Sequence, residues 1–283
     1  MHFQWQKRRN LTEFFSIGNG GRFLIWRHIS QLHKADISCL DVFLIDTGLG
    51  AFDTSILSAE ERTRARQQDS PDLARRFVAG RWCLRLVLAW KTGIVANELQ
   101  ITPDKLGKPK LPKHYGLEFN LSHSGCYALI ATNDSESIGV DIQKATLDVP
   151  SGVEEAVFTP RERRDLRHAE SYSLAFYTGW ARKEAVLKCK GTGFACDPQS
   201  VEVSMDTARH ATQAKFIPLN AVDGTACKEW SVIQPPQVSG YTLAIAAQSA
   251  SRAIRYWYGS FDAYISWGKR ARLFGRYSSN LPS

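Results

Sequence analysis

No apolar run in this chain of 283 residues approaches the roughly 18 needed to cross a membrane. The longest, YALIA (127–131) and YTLAIAA (241–247), are only strand-length. The opening residues, MHFQWQKRRN, carry charge but no apolar h-region, so secretion is not expected. Six cysteines (Cys39, Cys83, Cys126, Cys189, Cys196, Cys227) form no CxxC pair and keep no regular spacing. That scatter argues against a disulfide framework or a zinc site, and a reducing cytoplasm is the expected location. There is no RNP, helix-turn-helix or zinc pattern to mark a nucleic-acid module. Nor is the chain short of hydrophobic residues: 43% hydrophobic with 23% charged is an ordinary globular balance, enough for one large or two modest domains. What is present in excess is positive charge. A net +8 and a pI near 9.2 imply acidic partners without choosing among nucleic acid, polyphosphate and acidic protein.

An internal repeat organises the middle of the chain. FVAGRWCLRLVLAWKTG (77–93) and FYTGWARKEAVLKCKGTG (176–193) share Phe77/Phe176, Gly80/Gly179, Leu88/Leu187 and Lys91/Lys190 at equal offsets. Farther on, SGCYALIA (124–131) echoes SGYTLAIA (239–246), each with a Tyr opening a strand-like run. We expect a duplicated α+β unit: a first half over 39–135, a second over 136–249, and extensions at 1–38 and 250–283, with the boundary in the polar turn Asn133–Ser137. Ser58 with Glu61, and Thr159-Pro160 with Glu162, are capping-box patterns that mark two helix starts. DVFLID (41–46) reads as a strand, ended by Thr47-Gly48. The aromatic and basic tail, with Tyr256, Trp257, Tyr258, Tyr264 and Trp267, is expected to pack against the body.

Chemistry concentrates in two stretches, SIGVDIQ (137–143) and WARKEAVLKCKGTGF (180–194). In a strand, residues two apart share a face, so Asp141 and Gln143 present oxygens side by side. In a helix, residues four apart stack, so Trp180, Glu184 and Lys188 form one row. If strand and row face each other, Asp141 and Glu184 can share a hard divalent cation, with Lys183, Lys188 and Lys190 supplying charge for phosphate. Lys183 points roughly a hundred degrees away from Glu184 and ranks below Lys188. Arg81 and Arg85, at i and i+4, are open to either a structural or a phosphate-binding use.

These stretches resemble the hallmark motifs of the Sfp-type 4′-phosphopantetheinyl transferases: a Gly-(Ile/Val)-Asp-hydrophobic-(Glu/Gln) strand and a Trp-x-x-Lys-Glu-Ala-x-x-Lys helix. LSAEERTRAR (57–66), FVAGRWCLRLVLA (77–89), GKPKL (107–111), NLSHSG (120–125) and FTPRERRDL (158–166) match in that family's order. The resemblance covers about Asp41 to Ala247. It implies two pseudo-symmetric halves with the active site in the cleft between them, and transfer of 4′-phosphopantetheine from coenzyme A to a serine of an acidic apo acyl or peptidyl carrier protein. The enzyme would be a monomer, with magnesium as cofactor and adenosine 3′,5′-bisphosphate as by-product. It further implies Asp141 and Glu184 as metal ligands, Glu184 orienting or deprotonating the serine, Lys188 stabilising the phosphate in flight, and His123 with Ser122 contacting the coenzyme's phosphates. Arg64, Arg76 and Lys108 fall at or near positions that hold its 3′-phosphate and adenine end. Gln143 departs from the family's usual Glu, leaving open whether it ligates the metal or a water replaces it. Two other readings of the residues are a magnesium phosphohydrolase with water as nucleophile and a basic nucleic-acid-binding module.

Overall fold

The protein is described by a computed structural model over residues 14–17, 23–32, 39–48, 53–134, 136–192, 196–209, 211–216, 229–248, 253–271 and 273. The basic stretch Lys7–Arg9, Cys227, the motif end Gly193–Phe194, Arg272 and Arg276 lie outside the described residues. In chain order come β1 (Phe14–Ile17), β2 (Phe23–His28), β3 (Leu40–Asp46), α1 (Ala59–Arg66), α2 (Pro71–Thr92), β4 (Thr102–Pro103), β5 (Pro109–Lys110), β6 (Leu117–Ser124), β7 (Tyr127–Asp134) and β8 (Ile138–Lys144). There follow α3 (Val153–Val157), α4 (Pro160–Arg167), α5 (Tyr172–Lys190), β9 (Val201–Glu202), β10 (Ala211–Phe216), β11 (Glu229–Ile233), β12 (Tyr241–Ala247), β13 (Ile254–Ser260) and α6 (Phe261–Arg270). The architecture is α+β, as expected.

Strand parity sets the layers. Phe43 and Ile45 on β3 turn to one core with Trp82, Leu86 and Trp90 of α2 and Trp267 of α6. Val42 and Leu44 turn the other way, where they meet Val140 and Ile142 of β8 and Leu243 and Ile245 of β12. On the far side α5 packs Phe176, Val186 and Leu187 against Trp230, Val232, Ala244 and Ala246. Two sheets therefore stack face to face, each with a long helix on its outer side. Their orders are β1-β2-β13-β3-β7-β6 and β8-β12-β11-β10-β9. In each, an early strand (β3 or β8) pairs antiparallel with a late one (β7 or β12), which pairs in turn with its predecessor (β6 or β11). Tyr127 and Tyr241, opening β7 and β12, meet edge to face with centroids 5.0 Å apart.

Both capping boxes form, and each glutamate has a second use. Glu61 receives Arg81 Nε and Arg85 Nε, each at 2.6 Å. Glu162 pairs with Lys183 of α5 at 2.8 Å and accepts from Val203 N at 2.8 Å. The question over Arg81 and Arg85 is thereby answered: they tie α2 to α1.

The tail does pack against the body, and more deeply than a surface contact. Strand β13 inserts in parallel between β2 and β3 of the first-half sheet, and α6 follows onto its core. The segments read as extensions thus supply strands to that sheet. One buried charge fastens the insertion: Asp41 receives Arg255 through two bonds of 2.7 Å, Trp257 Nε1 at 2.8 Å and Lys91 Nζ at 2.5 Å. A carboxylate removed from water is tolerated only with such a full set of donors.

Candidate active site

Where the stacked sheets close on one side, edge strand β8 lies against edge strand β6, and the seam is made by side chains. Asn120 Oδ1 accepts from Val140 N at 2.9 Å, Ser122 Oγ from Ile142 N at 3.4 Å, and Ser124 Oγ from Lys144 N at 2.9 Å. Alternate side chains of one edge strand therefore satisfy alternate amides of the other, which removes an exposed edge without backbone pairing.

Parity places Gly139, Asp141 and Gln143 on the β8 face that looks toward α5. Gly139 permits a very close approach: a Cβ there would lie 1.9 Å from the carbonyl oxygen of Ala185 and 2.4 Å from the amide of Cys189. The motif glycine thus lets the helix carrying Glu184 and Lys188 settle onto the strand carrying Asp141.

Asp141 is buried and well supplied with donors. Its Oδ1 accepts from Ser122 Oγ at 2.7 Å and Lys188 Nζ at 2.6 Å, and its Oδ2 from Gln143 Nε2 at 2.8 Å. Lys188 also donates to Ser122 Oγ at 3.1 Å. Glu184, one turn before Lys188, is half-buried, and no hydrogen bond among the described residues reaches its carboxylate. Burial raises its pKa above the usual carboxylate range; Lys188 pulls it back and Asp141 pushes it further up. Asp141, Glu184 and Gln143 are an oxygen set suited to a hard cation, and a divalent ion would relieve the strain on a half-buried carboxylate without a donor. Among the described residues no cluster of three or more His, Cys, Asp or Glu side chains is placed to hold a metal. Any ion must then draw on the amide of Gln143, on water or on substrate oxygens.

Lys183 and Arg182 take no part. Lys183 is buried against Glu162 and the carbonyls of Pro198 and Val201, while Arg182 donates to the carbonyls of Ser204, Asp206 and Arg209. Helix angle explains the separation from Glu184.

Lys108 is where the geometry departs from the expected role. Its ammonium donates to the carbonyls of Lys188 at 2.9 Å and Ile138 at 3.2 Å, pinning the β4–β5 hairpin to the end of α5 and the start of β8. Burial lowers its pKa. A lysine with two donors spent on carbonyls braces the site instead of facing solvent to meet a phosphate.

Arg76 stands in a more open place. With Arg75, Lys144, Thr47 and Tyr241 it lines a cavity of about 280 Å³, and both arginines rest on Asp72 at 2.9 and 2.5 Å. Arg64 lies beside Phe77, its guanidinium 5.7 Å from the ring centre. His123 links the two regions: its ring opens to solvent, yet burial on its other sides, and the charges of Lys188 and Arg76, lower its pKa. Sequence reasoning missed Arg75 and Lys144, which no spacing singles out. It also missed Asn120 and Ser124, for which the alternation Asn-x-Ser-x-Ser was a signal.

Residues 137–246 match the model of the 4′-phosphopantetheinyl transferase superfamily, and residues 51–135 match one described as 4′-phosphopantetheinyl transferase, N-terminal. The chain is 38% identical over 146 residues to the 4′-phosphopantetheinyl transferase HetI of Nostoc, which covers 49% of this chain and 61% of that protein, less than two thirds of its length. A 4′-phosphopantetheinyl transferase of Bacillus subtilis is 30% identical over 161 residues, 55% of this chain and 70% of that protein. The L-aminoadipate-semialdehyde dehydrogenase-phosphopantetheinyl transferase of Rattus norvegicus is 28% identical over 209 residues, 67% of this chain and 66% of that protein.

Proposed function

The chain belongs to the 4′-phosphopantetheinyl transferase superfamily, and we propose that it transfers 4′-phosphopantetheine from coenzyme A to a serine hydroxyl of an acyl or peptidyl carrier protein. Adenosine 3′,5′-bisphosphate is the leaving group. The observation that carries this reading is the pairing of a carboxylate site on β8 and α5 with a cationic cavity, and His123 standing between them.

Asp141, Glu184 and Gln143 would hold magnesium. Bound there, the ion would supply positive charge to the pyrophosphate oxygens. Glu184, whose carboxylate receives no hydrogen bond among the described residues, orients the incoming serine hydroxyl and takes its proton. Lys188, which donates to Asp141 and Ser122, offers its third proton to the phosphate under attack and stabilises the charge that builds there. His123 donates to the coenzyme's phosphates, while Arg76, Arg75 and Lys144 receive its adenosine 3′-phosphate end. The repeat in sequence and the matching strand order of the two sheets support two similar halves with this site in the cleft between them. The excess of positive charge favours an acidic apo carrier and a monomeric enzyme, and the scattered spacing of the cysteines suits a meeting in the reducing cytoplasm.

The test is to mix the protein with coenzyme A, magnesium and a panel of apo carrier proteins and to look by mass for added phosphopantetheine. Modification of at least one carrier, abolished by chelation of magnesium, is expected. Turnover of coenzyme A with every carrier omitted and no carrier modified would replace this reading by a phosphohydrolase.

A further inference from the structure

Ser122 sits where a phosphate-binding hydroxyl would be sought, but its hydrogen-bonding capacity is already filled. A serine hydroxyl has one proton to donate and two lone pairs to accept with. The proton goes to Asp141 Oδ1 at 2.7 Å; the lone pairs accept from Lys188 Nζ at 3.1 Å and Ile142 N at 3.4 Å. The residue is buried, on the middle rung of the β6–β8 seam. It is the one rung that touches reacting groups as well as the strand: Asn120 and Ser124 on either side bond the backbone of Val140 and Lys144.

We infer that Ser122 is a positioning residue that holds the carboxylate of Asp141 and the ammonium of Lys188 to a common point and fixes both to the edge of β8, instead of contacting the coenzyme's phosphates. The inference rests on the functional reading above. Groups that orient a ligand from behind commonly matter to metal affinity or activity by roughly 10- to 100-fold when removed. The seam also gives a control, because Ser124→Ala removes a rung of the same kind without touching Asp141 or Lys188.

The test compares wild type, Ser122→Ala, Ser122→Thr and Ser124→Ala. For Ser122→Ala we expect kcat for carrier modification to fall roughly 10- to 100-fold, with the Kd of coenzyme A measured without magnesium within about threefold of wild type. Ser122→Thr keeps the hydroxyl and should recover most of the rate, Ser124→Ala should keep kcat within about twofold, and the Ile142 amide should exchange faster with solvent in Ser122→Ala alone. A weakened coenzyme A Kd with kcat intact would overturn the inference in favour of a phosphate contact. An equal loss of kcat in Ser124→Ala would overturn it in favour of seam closure alone. If wild type modifies no carrier, the functional reading fails separately, and magnesium titrated calorimetrically without coenzyme A then decides. Weaker binding in Ser122→Ala but not Ser124→Ala supports the positioning role, and unchanged binding overturns it.

Discussion

Gly139→Ala is the sharpest test of how the fold makes the site. The added Cβ would lie 1.9 Å from the Ala185 carbonyl oxygen and 2.4 Å from the Cys189 amide nitrogen. Both are backbone atoms of a helix, so no rotamer change relieves the clash. To restore ordinary contact α5 must retreat from β8 by about 1.5 Å, against packing that is already dense. Overfilling of this kind costs about 1–3 kcal/mol, and with backbone on one side we place it at the upper end, a fall in Tm of roughly 6–12 °C. The same retreat carries Glu184 and Lys188 away from Asp141, and a misplacement of about 1 Å is worth roughly 100-fold in rate. Calorimetry on the purified variant reads the first effect, and carrier modification measured well below the lowered Tm reads the second. A variant with Tm within about 2 °C of wild type and a rate within about threefold would refute the close approach that this reasoning depends on.

Other substitutions separate function from support. Glu184→Gln should cut carrier modification by roughly 10²- to 10⁴-fold. Because the folded pKa of Glu184 lies above its unfolded value, metal-free wild type loses stability as pH rises from the unfolded toward the folded pKa; Glu184→Gln should lack that slope in a pH series of melting curves. Lys183→Met strands the buried Glu162 and should destabilise by about 3–5 kcal/mol; Lys188→Met leaves Asp141 the donors Ser122 and Gln143 and opens a position that water can reach, so it should destabilise less while abolishing turnover. Equal stability losses in the two would contradict this division. Gln143→Glu replaces a donor to Asp141 with a third carboxylate, so the magnesium concentration for half-maximal rate should fall at fixed coenzyme A; an unchanged requirement would mean that position 143 does not reach the metal.

The readable part of the site was the part governed by local period. Asp141 with Gln143, and Glu184 with Lys188, follow from spacings of two and four. The capping boxes at Ser58 and Thr159 are equally local, and both formed. What escaped is what depends on lateral approach between distant segments. Glu61 lies 20 and 24 residues from the arginines it binds, so only the fold shows that Arg81 and Arg85 are occupied. Lys108 lies 80 residues from the carbonyl of Lys188, and nothing in GKPKL says that the ammonium turns inward. The parallel insertion of β13 is a similar case: its pattern of Tyr and Trp reads as packing, but not between which strands.

That insertion has a consequence for biosynthesis. Asp41 finds Arg255 only after 214 further residues have been made. The five-stranded sheet, whose members all fall between Ile138 and Ala247, can close while β3 still presents a bare edge and Asp41 has Lys91 as its partner from α2. A ribosome delivering this chain therefore releases the first-born sheet unfinished, with the later one already complete. Until β13 arrives, the nascent chain carries an open strand edge beside an acid that still lacks its Arg255 and Trp257 donors, the kind of surface that chaperones bind and that pairs with the wrong neighbour.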